Sequence, residues 1–336
     1  MTETPEALVR CYAESSAGVR VIDADAAIGH ITESIQKSTR ADHSGLVWID
    51  ITRPGAAEAR LLRERLGLHP LAVEDSLRGR QRPKVEHYPG YYFVVFYAAS
   101  INKSRDRVAL SEFHTFLGNN FLITVHDHEL PEVDEVVTAW TANPSRAGDA
   151  GGLAHALLDA IVDDYFPVVE HFANRLDQLE DRVFSDEREE FGIFPAFKLR
   201  HEMILLRRIL SPEREVLSSL LRHDLPFVRP EFVPYFQDVY DHLLRVTEEI
   251  DAFRDLLTGL IEVHSSNTAK RLNATMQTLT AWSIILMSVT VVAGIYGMNF
   301  VVMPELGLSW GYYGALTLML VVGGSLAIFF RRRRWL

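Results

Sequence analysis

Only one cysteine, Cys11, stands in the 336 residues, so no disulfide can form within the chain and its soluble part is expected in a reducing compartment. Basic side chains are also short: 34 Lys+Arg face 45 Asp+Glu, for a formal net charge of −11. The deficit lies in residues 1–269, with 28 basic and 44 acidic side chains, which argues against nucleic acid and for cations as partners. Enzyme signatures are missing too. No GxxxxGK[ST] phosphate loop, HExxH pair or nucleophile elbow occurs, and no organic cofactor or catalytic residue is expected. The opening residues carry acids early and no apolar run, so no secretory signal is expected there. Finally, charge is absent from two long stretches, 33 residues between Arg271 and Glu305 and 25 between Glu305 and Arg331. A bilayer core takes only about 20 helical residues, so a purely soluble chain is excluded.

Those stretches hold two expected spans, Thr278–Gly297 and Trp310–Phe330. Lys270 and Arg271 precede the first, Arg331–Arg334 follow the second, and the linking loop Met298–Ser309 has neither Lys nor Arg. The positive-inside bias then puts both termini in the cytoplasm and the loop outside. Tyr296, Phe300, Trp310, Tyr312 and Tyr313 gather at the loop side, and Phe329, Phe330 and Trp335 at the other, as interfacial belts would.

Residues 1–145 read as a mixed α/β domain. GLVWIDI from Gly45 and the aromatic, β-branched runs from Gly90 and Val108 suit strands, LGNN with Gly118, Asn119 and Asn120 suits a hairpin turn, and AAEARLLRERLGL from Ala56 has helical spacing. The Gly/Pro/Ser stretch from Asn143 reads as a boundary, after which residues 146–232 suggest a helical hairpin with an acidic tip around Asp181 to Glu190. Pro230 and Pro234 punctuate the chain, and no further proline occurs until Pro304. One very long helix is therefore expected over residues 233–297, a stalk that becomes the first span at residues 278–297. The loop 298–309, the second span 310–330 and a basic cytosolic tail 331–336 complete the organisation.

The first span differs from the second. Asn273, Met276, Thr280, Ser283, Met287, Thr290 and Gly294 recur at steps of three or four, placing most of its polar and small groups on one face, and the stripe extended downward meets Glu262. Such a stripe wants a partner helix or water, so two readings stand: packing in an oligomer without conduction, or a ring of helices around an aqueous pore. The second span has only the Thr317 and Ser325 hydroxyls and a Gly323/Gly324 pair suited to close contact, and reads as lipid-facing. His126 and His128, two apart at a strand end, are a further metal-site candidate beside the plainer reading of a solvated strand end.

The loop opens Tyr296, Gly297, Met298, Asn299, Phe300 and continues VVMPELGLSW. With HPLAVEDSLRGRQRPKVEHY from His69, YFQDVYDHLLRV from Tyr235 and RRRRWL from Arg331, it makes nearly the whole chain resemble the CorA family of magnesium and cobalt transporters. The chemistry of Gly297, Met298 and Asn299 suits that resemblance. Mg²⁺ holds its water shell tightly, and the Asn299 carboxamide oxygen and nearby backbone carbonyls can accept hydrogen bonds from those waters without trapping the ion. Without the family, Asn299 could equally be a helix cap. Glu305, the only charge in the loop, would concentrate cations around a ring.

The resemblance implies a homopentameric funnel: an α+β membrane protein with an N-terminal cytosolic α/β/α domain, a helical hairpin and a stalk helix continuing into the first of two transmembrane helices. It places pore rings at Asn273, Met276, Leu279, Met287, Thr290, Gly294 and Asn299, with Leu279 where periodicity alone chose Thr280, and makes Met276, Leu279 and Met287 the gate. It also implies regulatory metal binding between cytosolic domains by Asp75, with Glu74 beside it, and Asp238. The expected function is passive Mg²⁺ influx across the inner membrane, extending to Co²⁺ or Ni²⁺, in which Mg²⁺ is both cargo and regulator. Its partners would be further copies of itself, membrane lipid and divalent cations, and not nucleic acid. A zinc or cobalt transporter on the same fold and a non-conducting metal sensor or scaffold are the competing readings.

Overall fold

The structure, a computed structural model, describes residues 7–15, 18–37, 45–102, 104, 106–184, 193–222, 229–299 and 303–336. The chain divides into two compact units, Met1–Thr258 and Gly259–Leu336.

The first unit is built on a seven-stranded sheet of β1 (Leu8–Ser15), β2 (Gly18–Val21), β3 (Val47–Thr52), β4 (Lys84–Tyr88), β5 (Tyr91–Asn102), β6 (Arg107–Gly118) and β7 (Phe121–His126). The order is β2-β1-β3-β7-β6-β5-β4, and every pair is antiparallel except β3 with β7. Both strands of that parallel pair are buried along their whole length, as unbroken runs such as VWIDIT require when helices cover both faces. Leu117 opposite Leu122 places Asn119 and Asn120 at the β6–β7 turn, where their spacing predicts it.

The period of two along β3 divides the core. Val47, Ile49 and Ile51 join Ile28 and Ile31 of α1 (Ala24–Lys37), Leu62 of the π-type turn Leu61–Arg65 that continues α2 (Ala56–Arg60), and Val73 of α3 (Pro70–Arg78). Trp48 points to the other face and meets Trp140 of α4 (Pro131–Ala142) with ring centroids 6.1 Å apart. The same face of β5 and β6, with Val94, Phe113 and Leu117, packs on α5 (Ala150–Asp163), and α6 (Tyr165–Phe184) and α7 (Phe194–Arg222) complete that layer. Residues 185–190 of the expected acidic tip lie outside the described residues. Helix starts follow their caps: Asp149 accepts from Gly152 N at 2.7 Å to begin α5, and His69 with Pro70 begins α3.

A short turn at Pro230–Phe232 leads into α8 (Val233–Tyr296), 64 residues without a break. Its residues through Thr258 belong to the first unit. In the second unit the rest of α8 and α9 (Gly311–Arg332) are both long and apolar enough to cross a membrane, and both are largely exposed, unlike the core helices of a soluble protein. They pack through Ala281 and Ile285 of α8 and Phe330 of α9, flanked by Leu326, Ala327 and Trp335. Gly323 sits at this contact, where an added Cβ would lie 3.4 Å from Val289, whereas a Cβ added at Gly324 would meet nothing within 4 Å among the described residues. Of the glycine pair, only Gly323 serves the close approach.

Candidate ion path and carboxylates of the first unit

At about 100° per helical residue, Ala281, Ile285 and Val289 mark the side of α8 that α9 covers. Met276, Leu279, Ser283, Met287, Thr290 and Gly294 centre about 160° from it, on the opposite side. All six are exposed, Leu279 and Met287 each to 68%. Glu262 and Asn273 are exposed too, but lie about 60° and 80° from the middle of this stripe. Ser283 Oγ donates to Leu279 O and Thr290 Oγ1 to Leu286 O, each at 2.8 Å. Their protons are thus used inside the helix, and the stripe presents hydroxyl lone pairs, which are acceptors for the hydrogens of a cation's water shell.

The helix closes with Gly297 N donating to Ala293 O at 2.9 Å and Met298 N to Ile295 O at 3.3 Å. A Cβ on Gly297 would stand 3.1 Å from Ala293 O, a crowding that favours glycine. Gly297, Met298 and Asn299 are exposed, and the Asn299 carboxamide has no partner among the described residues. Helix capping therefore does not occupy it. Phe300, Val301 and Val302 lie outside the described residues, and Glu305 falls in the turn Pro304–Gly307.

In the first unit the carboxylates expected to bind metal have separate surroundings. Glu74 pairs with Arg78 one turn on at 2.5 Å. Asp75 takes the Lys84 ammonium at 2.6 Å, and Lys84 also reaches Glu86 at 2.7 Å. Burial alone would lower the Lys84 ammonium, yet hydrogen bonds to Asp75 and Glu86 hold it above its ordinary range.

Asp238 instead joins Asp159 and His242, with one ligand-type atom of each within 4.8 Å of the others. His242 Nε2 lies 3.9 Å from Asp238 and its Nδ1 3.4 Å from Asp163. The group borders an acidic cleft of about 790 Å³ lined also by Glu135, His155, Asp163 and Asp164. Burial, with Asp163 and Asp238 nearby, raises the Asp159 carboxyl against the opposing pull of His155 and His242, and burial lowers His155. Sequence reasoning did not select Asp159 and His242. The available signal was the i, i+4 spacing of Asp159 with Asp163 and Asp238 with His242.

The His126/His128 pair does not form a site. His126 is 1% exposed and its Nε2 lies 2.9 Å from Asp50, while its Nδ1 contacts the His128 carbonyl. Burial would raise the Asp50 carboxyl, but His126, Thr124 and Arg10 hold it below the usual range. This network ties β1, β3 and β7 together and leaves His126 no free nitrogen.

Residues 43–332 match the family described as CorA-like Mg²⁺ transporter protein. The chain belongs to the CorA family. Within it, the cobalt/magnesium transport protein CorA of Thermotoga maritima is 35% identical over 298 residues, covering 88% of this chain and 85% of that protein. The zinc transport protein ZntB of Pectobacterium atrosepticum is 21% identical over 290 residues, 86% of this chain and 88% of its own. The solved CorA magnesium transporter of Methanocaldococcus jannaschii shares the fold, with a TM-score of 0.81 at 21% identity over 98% of this chain and 99% of that one. As a CorA-family protein the chain is a divalent-cation transporter and not an enzyme.

Proposed function

We propose that this CorA-family chain is a passive influx channel for hydrated Mg²⁺ that assembles as a homopentamer in the inner membrane with both termini cytoplasmic. The observation that carries the reading is the stripe on α8: α9 covers one side of the helix, and the side with small and hydroxyl groups stays bare up to Asn299. Five such stripes around an axis would line an aqueous path, with Gly297, Met298 and Asn299 as the filter, Glu305 concentrating cations outside, and Met276, Leu279 and Met287 closing the path by excluding water. Asn273 and Glu262 would continue it inward. No ATP site is required, since two charges crossing the membrane potential gain about 4.6 kcal/mol per 100 mV.

Regulation is read as binding of internal Mg²⁺ to the cytosolic carboxylates, favouring the closed state. Glu74, Asp75 and Asp238 are its proposed residues, and Asp159 and His242 extend the group around Asp238. A metal reaching Asp75 would have to displace Lys84.

The imidazole of His242 favours a second reading. Two carboxylates suit Mg²⁺, but a nitrogen donor beside them suits Co²⁺ or Zn²⁺, so regulation or cargo could extend to those ions.

The test is Mg²⁺ influx into proteoliposomes under a negative-inside potential, with internal Mg²⁺ varied and cobalt hexammine added as a mimic of the hydrated ion. Influx should fall as internal Mg²⁺ rises, stop with the mimic, and vanish in Asn299→Ala. Uptake unchanged in Asn299→Ala would reject the filter assignment, and absence of flux from intact oligomers would favour the sensor or another metal.

A further inference from the structure

The four consecutive arginines Arg331–Arg334 are the longest run of one charge sign in the chain. All four are exposed, and none has a carboxylate partner among the described residues. Neither are they a fraying end. Arg333 N donates to Phe329 O at 3.1 Å, Arg334 N to Arg331 O at 3.1 Å and Trp335 N to Phe330 O at 3.0 Å. These bonds close α9 around Arg334 at φ +60°, a left-handed position that glycine usually takes. The closed turn is then fastened to α8. Thr278 Oγ1 donates to Trp335 O at 2.8 Å, and the Trp335 ring stacks on Phe330 with centroids 5.4 Å apart at 21°.

This cap fixes the height of the charge. Arg331 directly follows Phe330, the last residue of the apolar run, so a rise of about 1.5 Å per residue keeps the backbone of all four within roughly 6 Å of its edge. Phe329, Phe330 and Trp335 mark the same level as interfacial aromatics, and the Arg333 guanidinium lies 5.5 Å from the Phe329 ring centre. That is the level of lipid phosphates. Successive positions also point about 100° apart, so Arg331, Arg332 and Arg333 cannot all face α8, and the sides of α9 that α8 leaves bare turn toward headgroups. Guanidinium matches a phosphodiester by paired N–H donors.

We propose that Arg331–Arg334, held in place by the Trp335 cap, are a docking surface for the phosphodiester headgroups of anionic phospholipids in the cytoplasmic leaflet. The inference rests on α8 and α9 spanning the membrane, part of the proposed function.

The test uses the full chain, solubilised in detergent, with phosphatidylglycerol and phosphatidylcholine added in turn and lipid retention read by native mass spectrometry. Preference for phosphatidylglycerol is expected, falling about tenfold or more when all four arginines become glutamine, and falling as salt rises from about 0.1 to about 0.5 M. Equal preference before and after that change overturns the proposal. So does displacement of phosphatidylglycerol by millimolar inorganic phosphate, which would mark a site for soluble anions. Should the glutamine variant insert poorly, Arg→Lys at all four positions keeps the charge and loses the paired donors. A several-fold fall in retention is expected, and no change rejects the guanidinium assignment. Carbonate extraction of the unaltered protein separates the two readings: release from the membrane refutes the spans and the headgroup level with them, whereas retention without a preference for phosphatidylglycerol refutes the lipid surface alone.

Discussion

The phenol oxygen of Tyr165 lies 2.9 and 3.0 Å from the two carboxyl oxygens of Glu213, and 2.5 Å from the carbonyl of Tyr97. One phenolic proton cannot serve three acceptors. A neutral Glu213 resolves the arrangement: it donates to Tyr165, Tyr165 donates to Tyr97 O, and the second carboxyl oxygen accepts from Tyr97 N at 2.9 Å. Glu213 is fully buried, and burial pushes its carboxyl up to about 8, outweighing the hydrogen bonds that Tyr165 and Tyr97 N would give its ionised form. Glu132, itself raised to about 7 by burial with Asp164 beside it, adds negative field at Tyr165, and Glu112 does so at Tyr97.

The sign of the pH dependence follows. The folded value of about 8 exceeds the ordinary 4.5, so the native state binds the proton more tightly. Its stabilising effect is complete below about pH 4.5 and is lost as pH rises through 8, with about 1.4 kcal/mol at stake per unit of separation. Denaturant unfolding of the detergent-solubilised chain between pH 5 and 9 should show this decline. Glu213→Gln, which can donate to Tyr165 and accept from Tyr97 N, should make it shallower and remove its part above about pH 7, leaving the share of Glu132. An equally steep profile in that variant would assign the dependence elsewhere.

Lys84 is a tethered cation on Asp75. If Asp75 takes part in regulation, Lys84→Met removes a competitor, and flux should shut off at an internal Mg²⁺ concentration several-fold lower than in the unaltered protein. A half-inhibitory concentration that does not move would detach Asp75 from metal sensing.

The cluster of Asp159, Asp238 and His242 separates ions by donor type. His242→Gln should weaken Co²⁺ binding about tenfold while leaving Mg²⁺ within about twofold, and Asp238→Asn should weaken both. Titration calorimetry with each ion checks it, and equal losses for both ions in His242→Gln would make the imidazole structural.

Leu279 and Met287 leave large apolar side chains bare on the stripe. If these side chains form the proposed gate, replacing both by Ala should raise Mg²⁺ leak several-fold at internal Mg²⁺ that stops flux through the unaltered protein, because a dewetting constriction depends on apolar girth. Unaltered closure in the proteoliposome assay would put the gate elsewhere.

Much of this architecture could be read from the residues. The spans announce themselves by absent charge, and Gly118, Asn119 and Asn120 by turn chemistry. The family that the residues around Gly297–Asn299 suggest is the one matched over residues 43–332. What stayed hidden depends on partners distant along the chain. The parallel pairing of β3 with β7 joins strands about 70 residues apart, and it buries His126 against Asp50, where local spacing suggested a metal ligand. Asp159 and His242 meet only because α5 and α8 pack side by side, and Lys84 reaches Asp75 from a neighbouring strand. Local pattern names the groups, and tertiary contact chooses their company.

If the proposed ring forms, the bare stripe on α8 would make a fault in one copy common property. In the proposed ring each chain would bring a single strip of wall, and no chain would enclose a path by itself. In cells that make unaltered and Asn299→Ala chains together, most rings would contain a defective member, and uptake should fall further than the share of defective protein. Inheritance of such an allele would be dominant.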